Sequence, residues 1–303
     1  MFSKYIIKLE YEVEEPKLFT HAYKDRFDVK ENALRDLKID LESKANYEAF
    51  KPLLGADSFL TATKNLAYVD QDYLTMYYIL HIKVKPTKQQ HNAFYFGCYS
   101  NQHHLATATI LPGSYVGYGA DIKGTQKLDL GVKPIRLIQG FDKTGNLGVL
   151  GVVRSIINQL DADIMGDLHI YVSDIHITSV AQLYNSLIIA MRTTGISIMR
   201  MPPVYDVHTC GFILLCIHIF KTVEIFKAPW NGHMYIIGTE PVIDKLYHDY
   251  IKYLAADISQ YLPVSNEYFE AHANILVSIK DSLIKLTQEA ELPDDPCEAF
   301  VSV

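Results

Sequence analysis

Acidic residues and a glycine come just after several short apolar runs of the sequence, at positions that could bind a ligand. Asp174 comes after the run DLHIYV, Asp121 after YVGYGA, and Gly97 after AFYF. A fourth run, IRLIQ, leads into Phe141 and Asp142. If these runs are strands of an open α/β sheet, their carboxyl ends share the edge at which such sheets bind ligands. These residues are therefore the first candidates for a functional site.

Other catalytic signatures are missing from the sequence. It contains no GxxxxGK[ST] phosphate loop, no GxSxG serine turn and no HExxH zinc helix. The adjacent pair His103 and His104 is a poor metal chelate, because neighbouring side chains of a strand or helix point apart. The four cysteines have no CxxC spacing, which argues against a disulfide framework or a structural zinc site and fits a reducing compartment. We therefore expect no metal centre.

The composition is that of a globular protein. Of 303 residues, 49% are hydrophobic and 21% are charged, which suffices for one large core or two smaller ones. The longest apolar run, Cys210–Phe220, is too short to span a bilayer. The net charge of −7 argues against a strongly basic nucleic-acid-binding surface but leaves room for a local basic groove. We expect a soluble, cytoplasmic protein with no membrane partner.

Short apolar runs alternate with helical patterns from residue 93 onward. Helical periodicity is clear in Ser179–Arg192, with Ser179 as its cap and Gly195 as its stop, and in Thr209–Phe220. This alternation predicts an α/β fold with a mostly parallel sheet and helices on both faces. The last two strands have too little chain between them for a helical crossover, so they should pair antiparallel across the turn APWNG. The predicted strands are Ala93–Phe96, Tyr115–Ala120, Ile135–Gln139, Asp167–Val172, Ile196–Met201, Thr222–Phe226 and Met234–Gly238.

The flanking segments differ from this central region. We divide the chain into an N-terminal strand and helix extension (1–92), a Rossmann-like domain (93–240), a C-terminal helical pair (241–290) and an acidic tail (291–303). The segment Leu74–Val84 could be a buried helix or a strand, because its periodicity fits both. The other flanking elements are a strand at Tyr5–Val13 and helices at Lys30–Lys44, Tyr47–Leu54, Val242–Tyr261 and Glu267–Gln288.

The order of these motifs resembles the FtsJ-type ribose 2′-O-methyltransferases, especially the viral mRNA cap enzymes. The resemblance covers about half of the chain, 93–238, and rests on AFYFG, YGADI, LIQGFD with VRSI, YVSDI, QLYNSL, SIMRMP and KAPWNGHMYIIG. It implies a class I methyltransferase sheet that ends in an antiparallel hairpin. It also implies S-adenosylmethionine as the methyl donor, capped RNA as the substrate, and a viral protein located in the host cytoplasm or the virion.

The resemblance assigns a set of residues to the cofactor. From its methionine end through the ribose to the adenine, they are Gly97, Cys98, Ser100, Asp121, Phe141 and Asp142. Asp121 could instead cap a helix, and Phe141 could instead belong to the core. The first turn of the family usually has several glycines, which let the backbone approach the ligand closely. Here it reads GCYSNQHH with one glycine, so Tyr99 and His103 must point away from the site or occupy it.

The catalytic tetrad of the family is Lys-Asp-Lys-Glu, and its central lysine deprotonates the ribose 2′-hydroxyl. By the resemblance, Asp174 matches the aspartate. Arg200 stands in place of the central lysine, and an arginine makes a poor base because it keeps its proton near neutral pH. His233 stands in place of the glutamate and can titrate. Two members of the tetrad are therefore replaced.

The remaining member, the first lysine, has no clear match. Lys64 is too far from the first strand, and residues 70–73 are closer to the expected place. Lys227 beside the hairpin is a further candidate for the chemistry, although it is offset from the family's positions. Trp230 in the APWNG turn could stack on a cap base or pack beneath the hairpin.

Two functions remain open from these residues. In the first, the protein is an active but divergent cap methyltransferase that works beside Asp174, with Arg200 or Lys227 and His233 in altered roles. In the second, it is a pseudoenzyme that keeps the fold and acts as a structural, RNA-binding or protein-binding subunit, with another viral protein as a candidate partner.

Overall fold

An eight-stranded mixed sheet lies at the centre of the computed structural model of this chain. The structure describes residues 5–13, 39–40, 70–84, 90–98, 102–111, 115–120, 135–164, 166–174, 179–242 and 266–288. Its strands are β1 Ile6–Lys8, β2 Ile39–Asp40, β3 His91–Phe96, β4 Tyr115–Ala120, β5 Arg136–Leu137, β6 Leu168–Ser173, β7 Thr193–Arg200, β8 Val204–Tyr205, β9 Phe220–Lys227 and β10 Met234–Pro241. Within these ranges its helices are α1 Gln71–Lys83, α2 Gln102–Ile110, α3 Leu150–Asp163, α4 Val180–Ala190, α5 Val207–Ile219, α6 Asn266–Ala271 and α7 Ala273–Gln288.

The strand order across the sheet is β1-β9-β10-β7-β6-β3-β4-β5. The strands from β7 to β5 run parallel to one another, whereas β10, β9 and β1 pair antiparallel. The predicted α/β fold with a mostly parallel sheet is therefore confirmed, as is the antiparallel pairing of the last two strands. Because β10 is antiparallel to β7, its amino end lies at the same edge of the sheet as the carboxyl ends of β3, β6 and β7.

Both faces of the sheet are buried. Successive residues of a strand point to opposite faces, so in β3 the side chains of Phe94 and Phe96 join one core cluster, whereas Tyr95 joins the other. The first cluster packs under α3, α4, α5 and α7, and the second packs under α1 and α2. Burial on both faces explains why the strands read as continuous apolar runs rather than as alternating ones.

The N-terminal segments differ in part from the prediction. The ambiguous segment Leu74–Val84 belongs to helix α1. The helix predicted at Lys30–Lys44 is wrong at Ile39 and Asp40, which form β2 and pair antiparallel with β8. These two residues form a strand because they pair with β8, which is distant in the sequence. Local periodicity carries no information about such a partner. The helix predicted at Tyr47–Leu54 lies outside the described residues.

Helix α4 begins as predicted but ends earlier. Ser179 is its N-cap and forms a capping box with Gln182. The helix ends at Ala190, so the prediction that Gly195 is its stop is wrong, and Gly195 lies inside strand β7. A Cβ atom on Gly195 would lie 2.4 Å from the carbonyl oxygen of His169 in β6. A close approach between strands, rather than a helix end, therefore explains this glycine.

The C-terminal prediction of Glu267–Gln288 corresponds to two helices, α6 and α7, separated at His272. The Nδ1 atom of His272 lies 2.7 Å from the carbonyl oxygen of Tyr268. Of the helix predicted at Val242–Tyr261, only Val242 is described, and it follows strand β10 as an exposed residue. Among the helices that the structure describes, none combines the length and the apolar character needed to cross a bilayer.

Candidate functional site

Asp174 lies at the carboxyl edge of the parallel strands, directly after β6. Its backbone N–H donates to the carbonyl oxygen of Phe96 at the end of β3, over 3.1 Å. Its side chain is only 8% exposed. Polar residues from several other elements surround it, and we call them together the central cluster: Asp72, His103, Asp174, Arg200, His233 and Tyr235.

Both carboxylate oxygens of Asp174 have partners. Oδ2 lies 3.0 Å from Nε2 of His103, which α2 brings to the site. Oδ1 accepts a hydrogen bond of 3.2 Å from the hydroxyl of Tyr235 and lies 3.7 Å from Nη1 of Arg200. A buried carboxylate of this kind is stabilised as an anion by its partners.

Arg200 and His233 contact each other at the ends of β7 and β10. Nη2 of Arg200 and Nε2 of His233 are 2.7 Å apart. A guanidinium can only donate, so Nε2 of His233 accepts in this contact. Asn231 fixes the backbone of the same residue, since its Oδ1 accepts the N–H of His233 over 2.9 Å.

Asp72 comes to the cluster from the first turn of α1. One of its carboxylate oxygens lies within 4.8 Å of ligand atoms of both His103 and Asp174. Asp70 begins the helix, because its Oδ1 accepts the backbone N–H groups of Asp72 and Tyr73. Asp72 therefore stands where the first tetrad residue was expected, whereas Lys64 lies outside the described residues.

Charge and burial shift the pKa values in and beside the cluster. Burial works against ionisation of Asp174, but His103 and Arg200 outweigh it and hold the pKa of this carboxyl below its ordinary value. Burial also works against the charged imidazole of His103, but Cys98 and Asp174 raise its pKa well above the ordinary value. Burial, together with the nearby Asp72, raises the pKa of Asp70 to about 6.

On either side of residues 99–101, the described residues that follow β3 are largely buried. Gly97 has a φ of +64°, which favours glycine, and the backbone reverses there. The side chain of Cys98 is buried, and its Sγ donates weakly to the carbonyl oxygen of Phe96. His103 is fully buried and contacts Asp174, so it occupies the site rather than pointing away. Ser100 and Asp121, predicted for the cofactor, lie outside the described residues, as does Tyr99.

The residues predicted to lie beside the adenine are on the surface. Phe141 is 67% exposed, so the alternative that it belongs to the core is wrong. Asp142 closes a surface turn, where its carboxylate accepts from the backbone N–H and the hydroxyl of Thr144. Neither of these two hydrogen bonds of Asp142 involves a residue of the central cluster.

The structure brings Lys227 and Trp230 to other places. Nζ of Lys227 donates to the carbonyl oxygen of Leu286 in α7, on the face of the sheet opposite to Tyr235. Trp230 is fully buried, and its Nε1 donates to Oγ1 of Thr75 over 2.7 Å. A role for Trp230 in stacking on a cap base is therefore wrong, and packing beneath the hairpin is confirmed.

Sequence reasoning did not name Tyr235 as a site residue, and it considered His103 as an obstacle to the cofactor and as half of a poor metal-binding pair. Tyr235 lies two residues after His233 in β10, on the face that α1 covers, so the alternation of the strand could have indicated it. The contact of His103 with Asp174 joins elements far apart in the chain, and no local pattern predicts it. No protein-family model matches this chain, and no curated protein is significantly similar to it in sequence.

Proposed function

We propose that this chain is a methyltransferase-like protein without methyl-transfer activity, related to the FtsJ-type cap ribose 2′-O-methyltransferases, and that it acts as a protein-binding subunit. The proposal rests on one contact, the 3.0 Å between Nε2 of His103 and Oδ2 of Asp174. By the resemblance, Asp174 should face the transferred methyl group. Here a buried imidazole of the protein faces it instead.

The order of the strands supports the relationship. The parallel strands β5-β4-β3-β6-β7 are followed in the sheet by β10, which runs antiparallel to β7, and then by β9, which pairs antiparallel with β10. This arrangement is typical of class I methyltransferases. The central cluster supports it as well. Asp72, Asp174, Arg200 and His233 follow one another in the chain in the order of the tetrad, and they lie together in space. An alignment made in error would not be expected to bring these positions to one edge of the sheet.

The residues at this edge of the sheet do not fit S-adenosylmethionine in the position that the resemblance implies. The turn that would hold the methionine end has the single glycine Gly97, and the side chain after it, Cys98, is buried. A cofactor reaching Asp174 from this turn would have to displace His103, which is fully buried and paired with the carboxylate. Breaking a buried ion pair is costly, about 3 kcal/mol or more.

The cluster also lacks the lysine that serves as the base in the family's reaction. The guanidinium of Arg200 donates to His233, and an arginine side chain is a poor base. Lys227, the remaining cationic candidate, contacts α7 on the other face of the sheet. With its lysine positions changed, the cluster has Arg200 and ion pairs where the family has its lysine base, and Nε2 of His233 already accepts a hydrogen bond from Arg200.

The surface suits a protein partner better than RNA. The net charge of −7 opposes contact with a phosphate backbone. Three exposed apolar side chains, Leu137, Phe141 and Val149, lie in the segment that runs from the edge strand β5 to α3. Exposed apolar side chains are a feature of protein interaction sites where they form one continuous patch, and these three are near one another in the sequence.

A methyl-transfer assay tests the proposal. The full chain is incubated with S-adenosylmethionine carrying a radioactive methyl group and with capped RNA, and we expect no label in the RNA. The result that contradicts the proposal is label that Asp174→Ala abolishes and that Asp163→Ala retains. Asp163 is an exposed aspartate of the same domain that the resemblance does not assign to the cofactor, so it serves as the matched control.

A second assay tests whether His103 obstructs the cofactor. We expect His103→Gly to gain a thermal shift with S-adenosylmethionine, because the substitution removes the imidazole from the side of Asp174 that faces the turn. The control is His91→Gly, which removes a buried histidine at the other end of β3. If His103→Gly and His91→Gly respond alike, obstruction by His103 is not the reason.

A further inference from the structure

We propose that Asp72, His103 and Asp174 form a binding site for one divalent transition-metal ion, with Zn²⁺ as the ion that fits best. This inference goes beyond the loss of methyl transfer and does not depend on it. The three residues come from α1, α2 and the end of β6, and each presents one ligand atom to a common point.

The spacing of the ligand atoms matches a metal site. Each of the three lies within 4.8 Å of the other two, and Nε2 of His103 lies 3.0 Å from Oδ2 of Asp174. Two ligands at about 2.0–2.1 Å from a tetrahedral zinc ion are about 3.3 Å apart. An ion could therefore enter between this imidazole and this carboxylate with only a small movement of the two side chains.

The ligand types select the ion. One imidazole nitrogen and two carboxylate oxygens suit zinc, which takes His, Asp and Glu ligands in fourfold coordination. Calcium takes six to eight oxygen ligands, and magnesium prefers oxygens and water in an octahedron. A site with three protein ligands leaves the fourth position of a tetrahedral zinc ion for a water molecule.

The burial of His103 is a second, separate indication that this site binds an ion. The side chain is fully buried, and neither ring nitrogen has a well-aligned hydrogen bond, although Nε2 is close to Asp174. A buried imidazole normally satisfies its nitrogens, and a metal ion at Nε2 would do so, releasing to solvent the proton that this nitrogen shares with Asp174. The adjacent cation does not block the ion, because Arg200 lies beside Oδ1 of Asp174, whereas His103 contacts Oδ2.

Neighbouring groups already orient the ligands as outer-sphere partners do in metal proteins. Tyr235 donates to Oδ1 of Asp174. Such contacts fix the carboxylate so that its second oxygen can bind the ion. Helix α1 fixes Asp72 through its position in the first turn, where the helix dipole favours a negative charge.

The experiment uses the full chain, stripped with a chelator and dialysed against zinc chloride. Mass spectrometry of the metal content and calorimetry with Zn²⁺ give the stoichiometry and the affinity. We expect about one zinc ion per chain, and an affinity that falls about tenfold or more in Asp72→Asn and in His103→Gln. Asp142→Asn, which changes an exposed aspartate outside the cluster, should bind zinc as the wild type does.

Three results overturn the proposal. One is zinc content no higher than that of the dialysis buffer, another is zinc binding unchanged in both Asp72→Asn and His103→Gln, and the third is equal binding of Mg²⁺. Because His103 is buried, its variant could fold poorly, so circular dichroism is recorded for each protein. Asp72 is only partly buried at a helix end, and its variant alone decides the outcome if His103→Gln is unfolded.

Discussion

A buried carboxylate persists as an anion only where nearby groups compensate its charge. Asp174 has an imidazole at Oδ2, and a phenol hydroxyl and a guanidinium at Oδ1. Its position after an apolar run could be predicted from the sequence, as could Arg200 and His233 at the ends of their strands. The pairing with His103 could not, because it joins a helix and a strand end that are far apart in the chain. On the proposed function, the same contact separates this site from a methyl-transfer centre.

The first prediction concerns this carboxylate. Asp174→Asn leaves the charges of Arg200 and His103 without their anion, so we expect the free energy of unfolding to fall by about 3 kcal/mol. Urea denaturation measures it. Asp142→Asn, on the exposed turn, should change stability by less than about 0.5 kcal/mol. Equal effects of the two variants would mean that the central cluster contributes no specific stabilisation.

At the scale of elements, the periodicity of the sequence predicted some strands and helices but not all of the pairings between them. The parallel strands and the final hairpin could be predicted, because their apolar runs and turn lengths are local features. The two-residue pairing of β2 with β8 could not, because it depends on a distant partner. Gly195 shows the same limit, since a glycine after a helix pattern can equally mark a helix stop or a close strand contact.

The second prediction tests that close contact. Gly195→Ala places a Cβ atom 2.4 Å from the backbone carbonyl of His169, so strands β6 and β7 must move apart. We expect a loss of about 2 kcal/mol in the free energy of unfolding. The control is Gly151→Ala in α3, where the nearest atom is 3.4 Å away on the exposed ring of Phe141. That variant should be neutral or gain up to about 1 kcal/mol from helix propensity.

The third prediction concerns the contact of β9 with α7. Burial lowers the pKa of Lys227 from 10.5 to about 8, so between these pH values the unfolded chain holds a proton that the folded chain has released. The penalty for burying the charge is full below pH 8 and disappears as the pH rises towards 10.5. Lys227→Met removes this penalty but also the bond to Leu286. We expect the variant to be more stable at pH 7 by about 2 kcal/mol.

Thermal or urea denaturation of both proteins across this pH range measures the effect. The advantage of Lys227→Met should shrink steadily above pH 8, because the wild-type lysine then becomes neutral in the folded protein. A difference between the two proteins that stays constant with pH would show that the lysine keeps its ordinary pKa in the fold.

At the scale of the whole molecule, the sheet carries the polar residues of five elements to one edge, as open α/β sheets do for their ligands. Protein groups occupy the space around the carboxylate at this edge: His103 from α2, Arg200 from β7 and Tyr235 from β10 all contact Asp174. The architecture follows from local sequence patterns, whereas this occupation follows from three-dimensional contacts. On the proposed function, the fold has been kept while the reaction centre has become an ion-pair network.

The most direct test of this account is calorimetric titration of the wild-type chain with S-adenosylmethionine. We predict no saturable heat, because His103 and its contact with Asp174 occupy the position where the methionine end would lie. A saturating isotherm with about one site per chain, lost in Asp174→Ala, would contradict the account.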